Sequence, residues 1–273
     1  PNLSQGTNLI VSFIQIRSSD TGNENILTNN LILKSGLSNN IIARNPMPLV
    51  VGIGNTQRNY VFLTNHSNAP KAEIYNITGC SDLTTINAEA KMLVINNVSN
   101  WFHNRTQILG NVSSLNVSSI RTNFSTGNNV ILASVTIVAN NTAPNVAFSV
   151  SLLNGTNGIL NSVHQVHNLS SVVTSKTYSV FLMGAENNAP ENASYFVRVN
   201  KTGSNYTAYT DLMTFQATDI YFNTSVTTNL QTGLRNLTTL RNVNLSRNIT
   251  ILVTGDFKDT DSVTETLTNF RIL

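Results

Sequence analysis

The segment "NLIVSFIQIR" (residues 8–17) is apolar on both faces of an extended chain. Side chains alternate between the two faces of a β-strand, so residues two apart share a face. The apolar side chains divide evenly, with Leu9, Val11 and Phe13 on one face and Ile10, Ile14 and Ile16 on the other. A strand with one solvated face alternates apolar with polar residues instead. The pattern therefore predicts a strand that is covered on both sides.

The composition is that of a folded chain with few charges. Of the 273 residues, 40% are hydrophobic and only 11% are charged, against about a quarter in ordinary domains. The 16 Lys and Arg residues are scattered singly, whereas nucleic-acid binding requires a clustered basic footprint. The longest apolar stretches are about half of the roughly 20 residues that cross a bilayer. We therefore expect no nucleic-acid partner and no membrane span.

One feature favours an exported protein, and a second fits an acidic habitat. The sequence begins at Pro1 rather than Met, which is expected of a chain whose leader is removed. Only 13 Asp and Glu residues leave few groups whose protonation would unfold the chain in acid. An acidic habitat fits this scarcity, and a genome that favours Asn codons explains it equally well.

Short runs rich in Val, Ile, Thr, Tyr and Phe, bounded by Asn, Gly and Pro, recur along the chain, and helical periodicity is hard to find. These runs predict an all-β fold of the immunoglobulin-like or jelly-roll sandwich type. The segment "LLNGTNGIL" (residues 152–160) carries two Asn-Gly pairs between apolar runs, which is typical of a hairpin turn.

The predicted organisation is two tandem sandwiches that meet near "TNFSTGNN" (residues 122–129), with one large jelly roll as the alternative. The expected divisions are an N-terminal strand and linker over residues 1–20, a first sandwich over 21–125 and a second over 126–273. An internal echo supports repetition, because the form strand, Asn-rich turn, Ala-Pro, strand occurs three times. The copies surround Pro70, Pro144 and Pro190. Pro placed just before a strand removes no ladder hydrogen bond, so each copy is expected to connect two sandwich strands.

Asn-x-Ser/Thr motifs, which accept N-glycans in exported proteins, are about twice as frequent as the composition explains. The predicted acceptors are Asn65, Asn76, Asn97, Asn104, Asn111, Asn116, Asn123, Asn140, Asn154, Asn168, Asn192, Asn200, Asn205, Asn223, Asn236, Asn244 and Asn248, with a further motif at Asn2. Residues 3–64 contain no motif, although they contain about ten Asn. We interpret this gap as a region that lies against other protein, where a sugar would not fit.

Signals for catalysis or metal binding are weak. The chain has no Gly-x-Ser-x-Gly elbow, phosphate-binding glycine loop or His-Glu-x-x-His motif. His164 and His167 would lie on opposite faces of a strand, and the single Cys80 cannot form an intrachain disulfide. One acidic cluster is better explained as a solvated turn than as a Ca²⁺ site. Its members are Asp256, Asp259, Asp261 and Glu265. We expect no enzyme activity, catalytic residue, metal or cofactor.

The segment "GIGNTQRNYVFLTNHSNAPKAEIY" (residues 52–75) resembles the strand-turn-strand core of extracellular sandwich proteins such as TasA-like matrix fibres and archaeal bundling pili. With its many Asn residues and glycan motifs, the chain also resembles the thread filament subunits of acid-loving archaea. The resemblance implies donor-strand complementation, in which the N-terminal strand of one subunit fills a groove in its neighbour. It also implies a location outside the cell, at the cell surface.

The sequence therefore predicts a subunit of a glycosylated extracellular filament, a pilus or thread with a role in adhesion or biofilm. The partner would be another copy of the chain, joined head to tail through the N-terminal donor strand. The predicted subunit contacts are Leu9, Ile10, Val11, Phe13, Ile14 and Ile16. Two alternatives stay open. The opening strand is equally well explained as the first strand of its own sandwich, and the protein as an S-layer-like or adhesin-type surface glycoprotein.

Overall fold

The computed structural model describes residues 5–18, 25–27, 32–44, 49–51, 56–79, 86–139, 146–163, 167–169 and 177–218, together with residues 220, 223 and 253. In these ranges the regular elements are all β-strands, and every strand pairing is antiparallel. The predicted all-β fold is confirmed.

The strands follow the apolar runs of the sequence. They are β1 (Gly6–Ser18), β2 (Asn25–Leu27), β3 (Ile32–Ser35), β4 (Ile41–Arg44), β5 (Leu49–Val51), β6 (Thr56–Ala69), β7 (Tyr75–Thr78), β8 (Ile86–Ile95), β9 (Trp101–Gly110), β10 (Ser114–Arg121), β11 (Gly127–Ala139), β12 (Val146–Asn154), β13 (Ile159–Ser162), β14 (His167–Leu169), β15 (Thr177–Ala189), β16 (Ser194–Gly203) and β17 (Tyr206–Gln216). The double Asn-Gly segment is the β12–β13 hairpin, as predicted.

Four sheets form two sandwich-like units. In the first unit, sheet 1 has the order β4-β3-β7 and sheet 2 has the order β6-β1-β8. In the second unit, sheet 3 has the order β15-β11-β17-β9 and sheet 4 has the order β10-β16-β12-β13, with β14 also paired to β12. Strands β2 and β5 form a separate two-stranded sheet.

The sheets stack as layers in the order 1, 2, 3, 4, and one apolar cluster fills each interface. Between sheets 1 and 2, Ile10 and Ile14 of β1 pack with Leu33 of β3. The largest cluster lies between sheets 3 and 4. Between sheets 2 and 3, residues of β1 and β6 pack on residues of β11 and β17, and this cluster is Leu9, Val11, Leu63, Leu132, Met213 and Phe215. Apolar burial of this kind is the main stabilising term in folding, and here it also joins the two units.

The two units repeat the same arrangement at intervals of about 120 residues. In both, a central strand carries a register irregularity opposite an Ala, at the pairs Gly6–Ala69 and Gly127–Ala189. In both, the next hairpin shifts register just before its turn, at Leu33/Lys34 and at Leu152/Leu153. Strands β1, β3, β4, β6, β7 and β8 of the first unit thus correspond to β11, β12, β13, β15, β16 and β17 of the second.

The backbone conformation of the turns is also repeated between the two units. Asn68 and Asn188 precede the Ala-Pro pairs and have φ values of 56° and 54°. Asn39 and Asn157 occupy equivalent turn positions with φ values of 57° and 63°. Asn adopts this left-handed conformation more readily than most residues, which explains Asn-rich turns. The copies around Pro70, Pro144 and Pro190 each link strands of two different sheets, as the echo predicts.

The predicted divisions of the chain differ from the structure in two ways. β1 is not a separate N-terminal segment, because it forms the centre of sheet 2. The second unit begins with β9 and β10, before the expected boundary at residues 125–126, because β9 pairs with β17 and β10 pairs with β16. The end of the predicted second sandwich, beyond residue 218, lies almost entirely outside the described residues.

Candidate glycan acceptors and assembly edges

The predicted donor strand is satisfied within its own chain. β1 pairs with β6 on one edge and with β8 on the other over nearly its whole length. Its faces contact sheets 1 and 3, so that Phe13 is partly buried and the other five predicted contact residues are at most 2% exposed. Two-sided burial is confirmed, but the cover comes from the same molecule. The argument that this strand must find a second subunit therefore loses its premise.

The predicted glycan acceptors are exposed or half-buried wherever their side chains are described. Nine are exposed, namely Asn76, Asn97, Asn111, Asn116, Asn123, Asn192, Asn200, Asn205 and Asn223. Three are half-buried, namely Asn65, Asn104 and Asn154. The side chain of Asn168 and the positions Asn2, Asn140, Asn236, Asn244 and Asn248 lie outside the described residues. An N-glycan needs a surface acceptor, and the nine exposed positions meet that requirement.

Asn154 differs from the exposed acceptors because its side chain is fully engaged. Its amide donates to Glu186 Oε1 at 2.9 Å, and its carbonyl oxygen accepts from the amide of Gly158 at 2.7 Å. These bonds close the β12–β13 turn. Glycan attachment at this nitrogen would compete with the Glu186 contact, so we expect Asn154 to carry less glycan than the exposed acceptors.

The fully buried Asn residues of the described chain, Asn8 and Asn129, lie outside the glycan motifs. They occupy equivalent positions in β1 and β11. Asn8 Nδ2 donates to Tyr75 Oη at 2.7 Å, and Asn129 Nδ2 donates to Tyr195 Oη at 2.7 Å. Burial raises the pKa of both tyrosines, although the bond from Asn opposes the rise. Each Asn side-chain nitrogen thus has a hydrogen-bond partner in the core. A buried amide nitrogen without a partner would be destabilising.

The outer edges of the two units differ. β17 pairs with β9, and the part of β17 from Thr207 to Asp211 is buried or half-buried. The corresponding part of β8, from Asn87 to Lys91, is exposed, and among the described residues β8 pairs only with β1. Likewise β16 pairs with β10, whereas β7 pairs only with β3 in the described part of the chain. Such an edge presents backbone donors and acceptors that another strand can pair with.

A buried ionic contact fixes the hairpin β9–β10 against both units. Arg105 of β9 forms a bidentate pair with Asp211 of β17, with Nη2 at 3.2 Å from Oδ2. The same guanidinium donates to the carbonyl oxygen of Leu63 at 2.9 Å and lies 5.1 Å from the ring centre of Phe62. Because Leu63 and Phe62 belong to β6, this one side chain ties sheet 3 to sheet 2.

The described residues contain no group of three or more His, Cys, Asp or Glu side chains that could hold a metal. A cleft of about 470 Å³ lies between β1, β6, β8 and β15, and its lining includes Phe13, Phe181, Glu89, Lys91 and Val253. Its two charged groups pair with each other at 3.1 Å and are largely exposed. His164, Cys80 and the acidic cluster at residues 256–265 lie outside the described residues, as does the side chain of His167.

Two features of the site escaped the sequence reasoning. Within the described residues, β7 and β8 each lack a partner on one edge; this depends on which strands are neighbours, and the composition of a strand does not give that information. The duplication at about 120 residues was visible, since "NAPKAEIY" and "NAPENASY" begin at Asn68 and Asn188. Comparison of these two segments alone, without the copy at Pro144, gives the true period.

Comparison with known proteins gives no family for this chain. No protein-family model and no curated protein matches it. Solved structures match weakly. A structure of infectious bursal disease virus (Gx strain) has 9% identity and a TM-score of 0.30, and covers 77% of this chain and 58% of its own. The triple-jelly-roll turret structure of an archaeal virus has 13% identity and a TM-score of 0.25, with coverage of 79% and 54%. Dimeric latent PorU from Porphyromonas gingivalis has 9% identity and a TM-score of 0.28, with coverage of 78% and 24%.

This chain thus spans less than two thirds of the length of these matched structures. They share sheet architecture only, and likeness of this degree carries no functional argument. Within the described residues no helix has the length and apolar character needed to cross a bilayer.

Proposed function

We propose that this protein is a structural subunit of a glycosylated extracellular filament with a role in adhesion or biofilm. The observation that carries the proposal is the difference in burial between the Asn residues inside the glycan motifs and the fully buried Asn residues. Nine of the twelve described acceptor side chains are exposed and three are half-buried, whereas the fully buried Asn8 and Asn129 lie outside the motifs. Random placement of 12 motifs among the 26 described Asn side chains would leave both buried Asn residues outside the motifs in about one case in four, so this separation adds to the twofold excess of motifs over the composition. The difference supports acceptors that are used, and hence an exported chain.

The shape of the chain supports a structural role. Two similar units follow each other and share an apolar interface, and the first unit presents unpaired strand edges in the described part of the chain. A contact between two different surfaces need not close into a ring, and where it does not, its repetition from copy to copy builds a filament. The acceptors Asn111, Asn116, Asn200 and Asn205 lie on the far side of the second unit, around β10 and β16.

Polymerisation by donor-strand complementation would require β1 to leave its own sheet. β1 fills the centre of its own sheet, so a neighbour offers no empty groove in this conformation. Copies would have to exchange β1, each sheet releasing its own strand before it accepts another. This exchange stays a prediction, and the strand deletion described below tests it.

Two measurements on material purified from a glycosylating host test the proposal. Glycopeptide mass spectrometry should find glycan at the exposed acceptors, including Asn76 and Asn111, and none at Asn8 or Asn129. Electron microscopy of the concentrated protein should show threads of constant width. Unmodified acceptors would contradict the exported glycoprotein, and a two-dimensional lattice would favour a surface-layer protein over a filament.

A further inference from the structure

One glycan motif, Asn104-Arg105-Thr106 in β9, uses all three of its side chains within the fold. Asn104 Nδ2 donates to the carbonyl oxygen of Ser119 at 2.8 Å, and Thr106 Oγ1 donates to the carbonyl oxygen of Val117 at 2.6 Å. Both carbonyl groups belong to β10, so these two bonds tie the strands of the β9–β10 hairpin together. The middle residue, Arg105, forms the buried ionic contact with sheet 3 and sheet 2.

Glycan attachment needs two groups of a motif. The Asn side-chain nitrogen forms a bond to the anomeric carbon of a phosphate-activated sugar donor, and the amide gives up one proton. The bond from that carbon to the phosphate breaks, and the phosphate leaves with the electron pair. Only Ser or Thr is accepted at the third position, so the hydroxyl that they share is recognised as well. In Asn104 and Thr106 both groups are half-buried and already bonded to β10.

The use of the side-chain nitrogen follows the burial of the acceptors. In each of the three half-buried acceptors this nitrogen donates a hydrogen bond within the fold, and these are Asn65, Asn104 and Asn154. Asn111 lies at the tip of the same hairpin as Asn104 and makes no hydrogen bond to the described residues through its side chain. Asn111 is exposed, and so is Ser113, which carries the hydroxyl of its motif. Both groups that glycan attachment needs are therefore accessible at Asn111.

Asn116 of β10 shows that exposure of the acceptor differs from access to the whole motif. Its side chain is exposed, and its amide oxygen accepts from Arg198 Nε at 2.9 Å, which leaves the nitrogen free. The hydroxyl of its motif, Ser118 Oγ, is buried and has no hydrogen-bond partner within the described residues. Exposure of Asn116 predicts a glycan at this position, whereas access to both groups predicts none.

We propose that the glycan is attached to the folded chain, so that the fold selects which motifs are used. Motifs with a free nitrogen and an exposed hydroxyl, such as Asn111, accept the glycan, whereas Asn104, Asn116 and Asn154 stay bare. Attachment before folding would modify all of these motifs alike, because the unfolded chain hides neither group. The inference rests on the proposed glycoprotein function, and it narrows the expectation for the exposed acceptors at Asn116.

Site occupancy in the full-length protein from a glycosylating host tests the proposal. Glycopeptide mass spectrometry should find occupancy at Asn104 and at Asn116 at least tenfold below that at Asn111, the internal standard on the same hairpin. Similar occupancy at all three positions would overturn attachment to the folded chain and leave the exported glycoprotein standing. Absence of glycan from every motif would contradict the proposed function itself, and this inference with it.

Glu186→His tests whether a hydrogen bond keeps an acceptor bare. The substitution removes the carboxylate oxygen that accepts from Asn154 Nδ2. It also introduces the side chain that the first unit has at the equivalent position, where His66 contacts Tyr75. Occupancy at Asn154 should rise at least fivefold, while Asn104 in the same chain stays bare and reports an intact hairpin. An Asn154 that stays bare without its partner would overturn selection through the nitrogen.

Arg198→Met is the matched control on the oxygen side of an acceptor amide. It removes the bond to Asn116 Oδ1 and leaves Ser118 buried. Occupancy at Asn116 should therefore stay at the low level of the parent. A glycan gained at Asn116 in this variant, with folding unchanged by circular dichroism, would contradict the requirement for an accessible motif hydroxyl.

Discussion

The first and second units repeat the same six strands, yet their equivalent strands β8 and β17 differ in burial. The sequence of β8 from Asn87 to Lys91 is exposed, and the equivalent Thr207 to Asp211 of β17 is buried or half-buried beside β9. Side-chain burial in the two strands follows their pairing. β17 has a neighbouring strand on both edges, whereas β8 has one on a single edge within the described residues. The comparison shows that strand neighbours, beyond strand composition, decide which positions can hold a buried charge such as Asp211.

The largest expected effect comes from removal of residues 1–17. In this structure β1 is the central strand of sheet 2, and its five fully buried side chains contribute on the order of 10 kcal/mol of gross apolar stabilisation. The deletion should unfold the first unit and leave the second unit folded. Hydrogen exchange followed by mass spectrometry should show loss of protection in β6 and β8 and its retention in β11 and β15. Folded monomers that cannot polymerise would instead support the donor-strand prediction.

Arg105→Ala should be the most destabilising single substitution at the joint. It leaves Asp211, whose side chain is only 1% exposed, without its guanidinium partner, and it frees the carbonyl oxygen of Leu63. Loss of the sole partner of a buried ion pair costs about 3–5 kcal/mol, and the cost here should lie below that range because Asp211 keeps His103 Nε2 at 3.4 Å from Oδ1. Lys91→Ala is the matched control at the position equivalent to Asp211, since its pair with Glu89 is exposed. Urea denaturation should separate the variants, and equal midpoints would contradict the role of Arg105.

Tyr206→Phe should make the second unit less sensitive to alkaline pH. Burial raises the pKa of Tyr206 from the ordinary 10 to about 12. A raised pKa stabilises the fold fully below pH 10, and this stability is lost as the pH rises from 10 towards 12. The loss amounts to about 2–3 kcal/mol.

The Tyr206 hydroxyl has no hydrogen-bond partner, so the substitution should be nearly neutral at pH 7. Melting temperatures measured from pH 8 to 11 should fall less steeply in Tyr206→Phe than in the parent. The first unit has Ile86 at the equivalent position, so its alkaline dependence comes from Tyr75, whose pKa burial also raises, and is unaffected by Tyr206→Phe. Parallel pH profiles for variant and parent would contradict the assignment.

The smallest expected effect comes from exchanging one turn residue between the two units. Ala72 and Asn192 occupy equivalent turn positions with φ values of 60° and 56°. Left-handed backbone costs most residues roughly 1–2 kcal/mol, and Asn adopts it more easily. Ala72→Asn should therefore stabilise the protein by up to about 1 kcal/mol, and Asn192→Ala should destabilise it by a similar amount. Changes of the same sign in the two variants would break the equivalence of the turns.

The sequence predicts local structure well and strand partners poorly. Two-sided burial of β1 was readable because residue alternation alone reports it. The Asn-x-Ser/Thr motifs are readable because each is local, and their glycosylation stays a prediction. The partner of β1 was not, since an apolar strand pairs equally well within its chain or with another, and only the positions of β6 and β8 decide. The boundary near residue 125 was misplaced because β9 and β10 belong by pairing, rather than by chain order, to the second unit.

Hydrogen exchange of β8 and β17 in the same sample tests the central claim most directly. In the dilute monomer, peptides covering β8 should exchange at least tenfold faster than the equivalent peptides of β17, because β17 has strand partners on both edges. In assembled material the exchange of β8 should slow to that of β17. Equal protection of the two strands in the monomer would contradict the account, because the first unit would then have no open edge to offer.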